Sequence, residues 1–295
     1  FIPGAAIGTL PAFLACLFII GIGLTFLETS ANPYATELGP QDTATSRLNL
    51  SQSFNGMGCA LAPFVLGEYL FSGGDISTPY MLMGFVVIAV AIIFARVKLP
   101  EITQEESTTH TPTSGKLGKA VLFGFLALLA YEVAEISINS YFVIFLTSEG
   151  VATNVEASRL LSLALFIFMG GRFLGAWVMK FVHPTKVLFC CAVGSVACMC
   201  GVLFGGEISL YALVLNFACE AIMFPTIFSL SLTGLDAQQK KRASSYMMMT
   251  PVGGCAFLLM GIIADNTSLV LPFFVPLAGF LIVLAFATYK MRKRD

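Results

Sequence analysis

The stretch PAFLACLFIIGIGLTFLETSANPYATEL, residues 11–38, places one carboxylate, Glu28, inside an apolar run long enough to cross a bilayer as a helix. A charged side chain in hydrocarbon is costly, so such residues nearly always face a water-filled cavity and act there. The alternative is a buried acid that only hydrogen-bonds a neighbouring helix. Glu132, Glu135 and Glu220 repeat the pattern in other apolar stretches. Four such acids predict a protein that moves a polar solute across a membrane.

The composition is that of a membrane protein. Hydrophobic residues make up 57% of the 295 residues and charged residues 11%, with a mean hydropathy of +0.86. The two histidines, His110 and His183, lie in predicted loops, so the membrane offers no histidine base and we do not expect an enzyme. The eight cysteines lie in apolar segments without metal-binding spacing. We expect no cofactor, no metal and no nucleic-acid partner.

Apolar windows predict an all-α, polytopic membrane protein with about nine spans and a stub of an earlier helix at residues 1–8. Most connections are short and rich in turn residues, whereas residues 98–118 are polar and predict a flexible linker between two membrane bundles. Three spans precede this linker and six follow it. Because the chain begins with Phe, we expect further helices before it. The predicted spans are 10–38, 46–71, 77–97, 119–147, 155–181, 186–205, 208–234, 242–264 and 268–290.

The basic residues predict the orientation. If the linker lies in the cytoplasm, fourteen of the sixteen Lys and Arg residues lie on or near that side, all but Arg159 and Arg172. That bias follows the positive-inside rule, so the C-terminus is also expected in the cytoplasm. Arg172 lies within a span, and it either snorkels to the surface or forms a gating salt bridge with a cytoplasmic acid.

Polar residues recur at helical spacing in four spans. The sets are Glu28 with Asn32, Gln52 with Asn55, Glu132 with Glu135 and Asn139, and Asn216 with Glu220. Lipid would not tolerate such faces, so they are predicted to face one another around a central polar cavity, where secondary transporters bind substrate. Amides and carboxylates suit the hydroxyl groups of a sugar, and a carboxylate can also take a proton.

Prolines also fall within the predicted spans, at Pro33, Pro63, Pro225 and Pro251. Kinks at such positions are common beside transport sites. Ordinary use of proline in membrane helices is the alternative.

Four segments resemble the sugar:proton symporters of the fucose permease group, within the major facilitator superfamily. They are LETSANPYATELGP (27–40), RLNLSQSFN (47–55), GGRFLGAW (170–177) and FPTIFSLSLTGL (224–235). The resemblance implies twelve helices in two six-helix halves. Residues 1–97 would then be the remainder of the N-terminal half, 98–118 a cytoplasmic linker, and 119–295 the C-terminal half. The segment AEISINS (134–140) is closer to the glucose/galactose members.

The function that this resemblance implies is proton-coupled uptake of a fucose-, galactose- or glucose-type monosaccharide across the inner membrane by alternating access. Glu28 matches the membrane glutamate of the family's LET-ANP motif, and Gln52 and Asn55 match the amides of its QxFN motif. The alternatives are transport of another polar or cationic solute and a sugar-binding membrane sensor. The predicted substrate-binding residues are Glu28, Asn32, Gln52, Asn55, Glu135, Asn139 and Glu220, and the predicted proton-coupling residues are Glu28, Glu132 and Glu135.

Overall fold

The computed structural model describes residue 4 and residues 7–71, 73–75, 77–98 and 118–292, so the predicted stub and linker lie largely outside the described residues. Within them the chain forms eleven α-helices and three 3-10 segments. The helices are α1 (Leu10–Glu37), α2 (Ala44–Phe71), α3 (Ser77–Arg96), α4 (Lys119–Ser148), α5 (Asn154–Val178), α6 (Pro184–Phe204), α7 (Glu207–Glu220), α8 (Met223–Leu232), α9 (Ala237–Met247), α10 (Phe257–Asn266) and α11 (Phe274–Arg292). The 3-10 segments are Gln41–Thr43, Thr250–Ala256 and Leu271–Phe273.

Eight helical stretches of the described chain are long and apolar enough to cross a membrane. Two of them join shorter helices, namely Ile208–Leu232, which combines α7 with α8, and Gln238–Asn266, which runs from α9 through α10. The one predicted span that is missing from these eight is 46–71, which corresponds to α2. This helix has 28 residues, but its polar first half lowers its mean hydropathy. The predicted all-α fold of a multi-span membrane protein is confirmed.

The break between α7 and α8 follows from a proline. Ala221 and Ile222 form a turn between the two helices, and Pro225 lies three residues into α8. A proline lacks the N–H that would bind the carbonyl four residues earlier, so Pro225 leaves the carbonyl of Ala221 free for another donor. Pro251 is the second residue of the 3-10 segment Thr250–Ala256, which interrupts the following span.

The helices pack around α4, which contacts α11, the 3-10 segment Thr250–Ala256, α8 and α5. All ten residues of α8 are buried. The close approach of α11 to α4 depends on Gly279, because a Cβ atom there would lie 2.5 Å from the carbonyl oxygen of Ala130. The core thus lies within α4–α11.

The first three helices meet the later ones mainly through α2, whose most extensive contact is with α5. None of the described residues of α3 is buried. Because consecutive spans run in opposite directions, Arg47, Arg96, Lys180, Lys240 and Lys290 lie at one end of the bundle, which we call the basic end. Lys240 Nζ forms an ion pair there with Glu37 Oε1 at 3.0 Å, joining α9 to α1.

Buried and exposed residues alternate along α2. Thr45 and Asn49, in its first two turns, are buried, whereas Asn55 is exposed. A Cβ atom at Gly56 would still lie 3.5 Å from the Cβ of Met169, on α5. The two groups of helices are therefore in contact at the basic end and along α2 as far as Gly56.

Candidate functional site

A chain of amide side chains joins α1 to α2. Gln52 Nε2 donates to Asn32 Oδ1 at 2.7 Å, and Asn55 Nδ2 donates to Gln52 Oε1 at 3.3 Å. Asn32 Nδ2 in turn lies 3.7 Å from Met248 Sδ, at the end of α9. Asn32 and Gln52 are buried, whereas Asn55 is exposed. Three predicted binding residues therefore form one hydrogen-bonded group between α1 and α2.

Arg172, on α5, holds this group from the side of the later helices. Its Nη1 donates to Gln52 Oε1 at 3.2 Å and to the Gln52 carbonyl at 2.9 Å, and its Nε donates to the Ala221 carbonyl at 3.0 Å. The last acceptor is the carbonyl that Pro225 leaves free. The guanidinium also lies 4.4 Å from the ring centroid of Phe168, as a cation–π pair.

The position of Arg172 differs from both predictions made for it. Its side chain is 5% exposed, so it does not snorkel to the membrane surface. Within the described residues it forms no ion pair within 4 Å with an acid at the basic end, because its donors are directed to Gln52 and Ala221. Sequence reasoning missed this role, although the free carbonyl implied by Pro225 was a signal that a donor lies nearby.

The four membrane acids lie within electrostatic range of this arginine. The charges of Glu28, Glu132, Glu135 and Glu220 all interact electrostatically with the Arg172 guanidinium. Glu28 and Glu135 are partly exposed, whereas Glu132 and Glu220 are buried. Acids of α1, α4 and α7 therefore lie close enough to Arg172 for its charge to act on them, while their role at a common site stays a prediction.

Glu220 and Asn216 form a separate buried pair on α7. Asn216 Nδ2 donates to Glu220 Oε2 at 2.7 Å, and neither residue is exposed. Glu220 Oε1 and Asn216 Oδ1 have no hydrogen-bond partner among the described residues. These two oxygens can accept further donors, provided that a ligand or water reaches them.

Asn139, on α4, is half-buried, and its Oδ1 also has no partner in the described part of the chain. The same holds for Ser137 Oγ, two residues before it. Because unpaired buried polar atoms are uncommon, these two atoms are candidates for binding a solute or water that reaches them.

A further groove of about 490 Å³ does not coincide with this cluster. It runs along one face of α1, and its lining is apolar apart from two threonines. The hydroxyls of Thr25 and Thr29 donate to carbonyls of their own helix, so they are already paired. We assign the site to the amides and acids because they carry the polar chemistry. The groove is lined by Phe18, Gly21, Ile22, Thr25, Phe26 and Thr29.

Comparison with known proteins places the chain in a family. The family model of the Major Facilitator Superfamily matches residues 1–257. A glucose/galactose transporter of Brucella abortus (strain 2308) is 32% identical over 293 residues, covering 94% of this chain and 71% of the relative. The L-fucose-proton symporter of Escherichia coli (strain K12) is 30% identical over 328 residues, covering 98% and 74%.

Solved structures agree with this assignment. The crystal structure of the major facilitator superfamily transporter FucP in the outward conformation superimposes with a TM-score of 0.82 at 29% identity, covering 98% of this chain and 78% of that chain. A bacterial homologue of the iron transporter ferroportin, at 12% identity and a TM-score of 0.66, shares the fold alone. The chain therefore belongs to the Major Facilitator Superfamily, as a multi-pass membrane transporter related to the fucose and glucose/galactose transporters.

Proposed function

We propose that the protein takes up a fucose-, galactose- or glucose-type monosaccharide together with a proton, across the inner membrane, by alternating access. The observation that carries this proposal is the group of amides on α1 and α2, held by Arg172, which has four acids within electrostatic range. Amide and carboxylate groups match the donors and acceptors of sugar hydroxyls. The relatives named as L-fucose-proton symporter and glucose/galactose transporter support the same substrate class.

The proposed substrate-binding residues are the amides and acids on the polar faces of α1, α2, α4 and α7. Asn55 is exposed and Glu28 and Glu135 are partly exposed, so a sugar can reach them. Gln52 and Asn32 stand behind Asn55 in the hydrogen-bonded chain and orient it. Asn139 and Glu220 each offer an oxygen atom without a partner among the described residues.

Proton coupling follows from the charge balance of the site. The described part of the cluster pairs four carboxyl groups with a single guanidinium. Four carboxylates and one cation cannot all stay ionised in a medium of low dielectric constant, so the site must hold protons. The proposed proton carriers are Glu28, Glu132 and Glu135.

The proposed topology has linker 98–118 and the C-terminus in the cytoplasm, with residues 1–97 and 119–295 in the two halves that rock. The basic end is then the cytoplasmic end, as the positive-inside rule requires. An outward-facing state has its cytoplasmic end closed, and the buried residues Thr45, Leu48 and Asn49 at the basic end fit such a state. FucP, the related transporter of known structure, was also solved in an outward conformation.

Uptake by cells that produce the protein tests the proposal. Labelled L-fucose, D-galactose and D-glucose are supplied in turn, with and without a protonophore, and cells producing the Thr25→Val variant serve as a matched control. We expect at least one sugar to accumulate above its external concentration and the protonophore to abolish that accumulation. Binding without accumulation would support a sensor, and competition by organic cations but not by sugars would support a cation transporter.

A further inference from the structure

Three polar side chains in the first two turns of α2 each reach a partner on a later helix. The pairs are Thr45 Oγ1 with Ser229 Oγ at 2.7 Å, Ser46 Oγ with the Ala176 carbonyl oxygen at 2.8 Å, and Asn49 Nδ2 with Thr226 Oγ1 at 3.4 Å. These bonds join α2 to α8 and α5 near the basic end. They lie outside the group of amides and acids to which we assign substrate.

The α2–α8 pairs are buried, although hydroxyl and amide groups form them. Thr45 and Ser229 are 8% and 9% exposed, and Asn49 and Thr226 are fully buried. Asn49 Oδ1 has no hydrogen-bond partner among the described residues, so this interface is not fully satisfied. Polar pairs of this kind contribute little net stability, because water replaces each bond when the interface opens. Such an interface can be broken and remade.

A single apolar residue accompanies these pairs. Among the described residues of α1–α3, Leu48 alone belongs to the buried apolar core that α4–α11 form. It lies between Thr45 and Asn49 in the same two turns and is fully buried. The contact at this level is therefore one apolar anchor flanked by hydrogen bonds.

Other hydroxyls on the same helices behave differently. Ser53 Oγ donates to the carbonyl of Asn49 within α2, and Ser231 Oγ donates to the carbonyl of Ile227 within α8. Both serines are buried, yet their bonds do not cross between the helix groups. In the first two turns of α2, by contrast, the side chains of Thr45, Ser46 and Asn49 form bonds that do cross to the later helices.

We propose that Thr45 and Asn49, together with Ser229 and Thr226, form a releasable latch that keeps the basic end closed and parts when the transporter turns to its other face. This inference rests on the alternating-access function proposed above. The four side chains are positioning residues, since they set the balance between the closed and open basic end and do not touch substrate.

Thiol labelling at position 48 measures that balance directly. A Leu48→Cys reporter is buried while the basic end is closed and reacts only after the interface opens. Membranes that contain the full chain with this reporter are treated with N-ethylmaleimide, and the labelled peptide is quantified by mass spectrometry with the native cysteines left in place. When opening is rapid and unfavourable, the labelling rate is proportional to the open fraction.

We expect Thr45→Val and Ser229→Ala each to raise the labelling rate about fivefold, as loss of one hydrogen bond of ordinary strength predicts. Because the two hydroxyls bind each other, the double variant should also label about fivefold faster, and not twenty-fivefold. Ser53→Ala and Ser231→Ala are the matched controls. Their labelling rates should stay near the rate of the protein that carries Leu48→Cys alone.

Two results would overturn the latch: unchanged labelling in both single variants, or equal acceleration in the two serine controls. An additive double variant would show that Thr45 and Ser229 do not act as a pair. Failure of the proposed sugar transport is recognised separately, because labelling needs no substrate and reports the closed end even if no hexose accumulates.

Discussion

At the scale of single residues, Arg172 connects the parts of the site. Its three hydrogen bonds reach a side chain and two backbone carbonyls, on α2 and at the break after α7. A guanidinium offers five donors in a fixed plane, which suits several acceptors in different directions. The same charge interacts with the four carboxyl groups of the membrane-spanning helices. Arg172 therefore fixes the amide of Gln52 and balances part of the negative charge of the site.

Glu28→Gln tests the acid of α1. The amide keeps the shape of the side chain but cannot carry the negative charge or take a proton. Loss of a hydrogen bond to a charged group costs about 1.5–3 kcal/mol, so we expect accumulation of sugar to be abolished and sugar affinity to fall at least about tenfold. Concentrative uptake of labelled sugar provides the measurement. Thr25→Val, one turn earlier, is the control, and wild-type accumulation by Glu28→Gln would refute the assignment.

Arg172→Lys tests the geometry of the guanidinium at constant charge. An ammonium group is a point charge that cannot hold Gln52 and Ala221 together, so we expect the KM for sugar to rise about tenfold or more while the protein still inserts. Arg159→Lys, at an exposed position of the same helix, is the matched control. A KM unchanged in Arg172→Lys, or raised equally in Arg159→Lys, would contradict a positioning role.

Sequence reasoning at this scale succeeded where the neighbours were local. The spacing of Gln52 and Asn55 predicts a shared helix face, and the two amides are hydrogen-bonded. It failed for Arg172, because the partners of its side chain lie 120 and 49 residues away in the chain. Nothing in local spacing encodes which distant carbonyl a guanidinium meets.

At the scale of helices, apolar windows located the membrane-spanning elements because burial in lipid requires about twenty apolar residues whatever the partner. The windows could not indicate that residues 208–234 form two helices. That break depends on Pro225, whose missing N–H leaves the carbonyl of Ala221 without a partner in the helix. Arg172 donates a hydrogen bond to this carbonyl. Helix continuity is therefore decided by tertiary contacts as well as by composition.

Gly279→Ala tests the packing of α11 on α4. The added methyl group would lie 2.5 Å from the carbonyl oxygen of Ala130 and 3.1 Å from the Cβ of Ala134, so the helices must move apart. Overpacking of this kind costs about 1–3 kcal/mol, and we expect a clear loss of thermal stability in detergent. Gly261→Ala, where no heavy atom lies within 4 Å of the added carbon, is the control. It should be neutral or gain up to about 1 kcal/mol from helix propensity, and equal losses in both variants would refute the packing argument.

At the scale of the whole molecule, the described helices form two groups, which meet at the basic end and along α2. The later group carries the apolar core, and the first group contributes Leu48 to it. The remaining contacts between the groups include polar bonds and the ion pair of Glu37 with Lys240. The sequence predicts two bundles on either side of a polar linker, but it does not predict which end is closed. That choice depends on which of two conformations the chain adopts, and one sequence must permit both.

Charge reversal at the basic end tests how far the ion pair contributes to that closure. Glu37 and Lys240 are partly exposed, at 33% and 24%, so the pair is worth at most about 1 kcal/mol and weakens with salt. With the Leu48→Cys reporter, we expect Lys240→Glu to raise the labelling rate about fivefold or less at low ionic strength. The double variant Glu37→Lys/Lys240→Glu should restore the original rate, because it rebuilds an ion pair of opposite direction. Lys241→Glu, the exposed neighbour, is the matched control. Equal labelling rates in Lys240→Glu and Lys241→Glu would show that net charge, and not this ion pair, keeps the basic end closed. The same conclusion would follow if the double variant kept the raised labelling rate of Lys240→Glu.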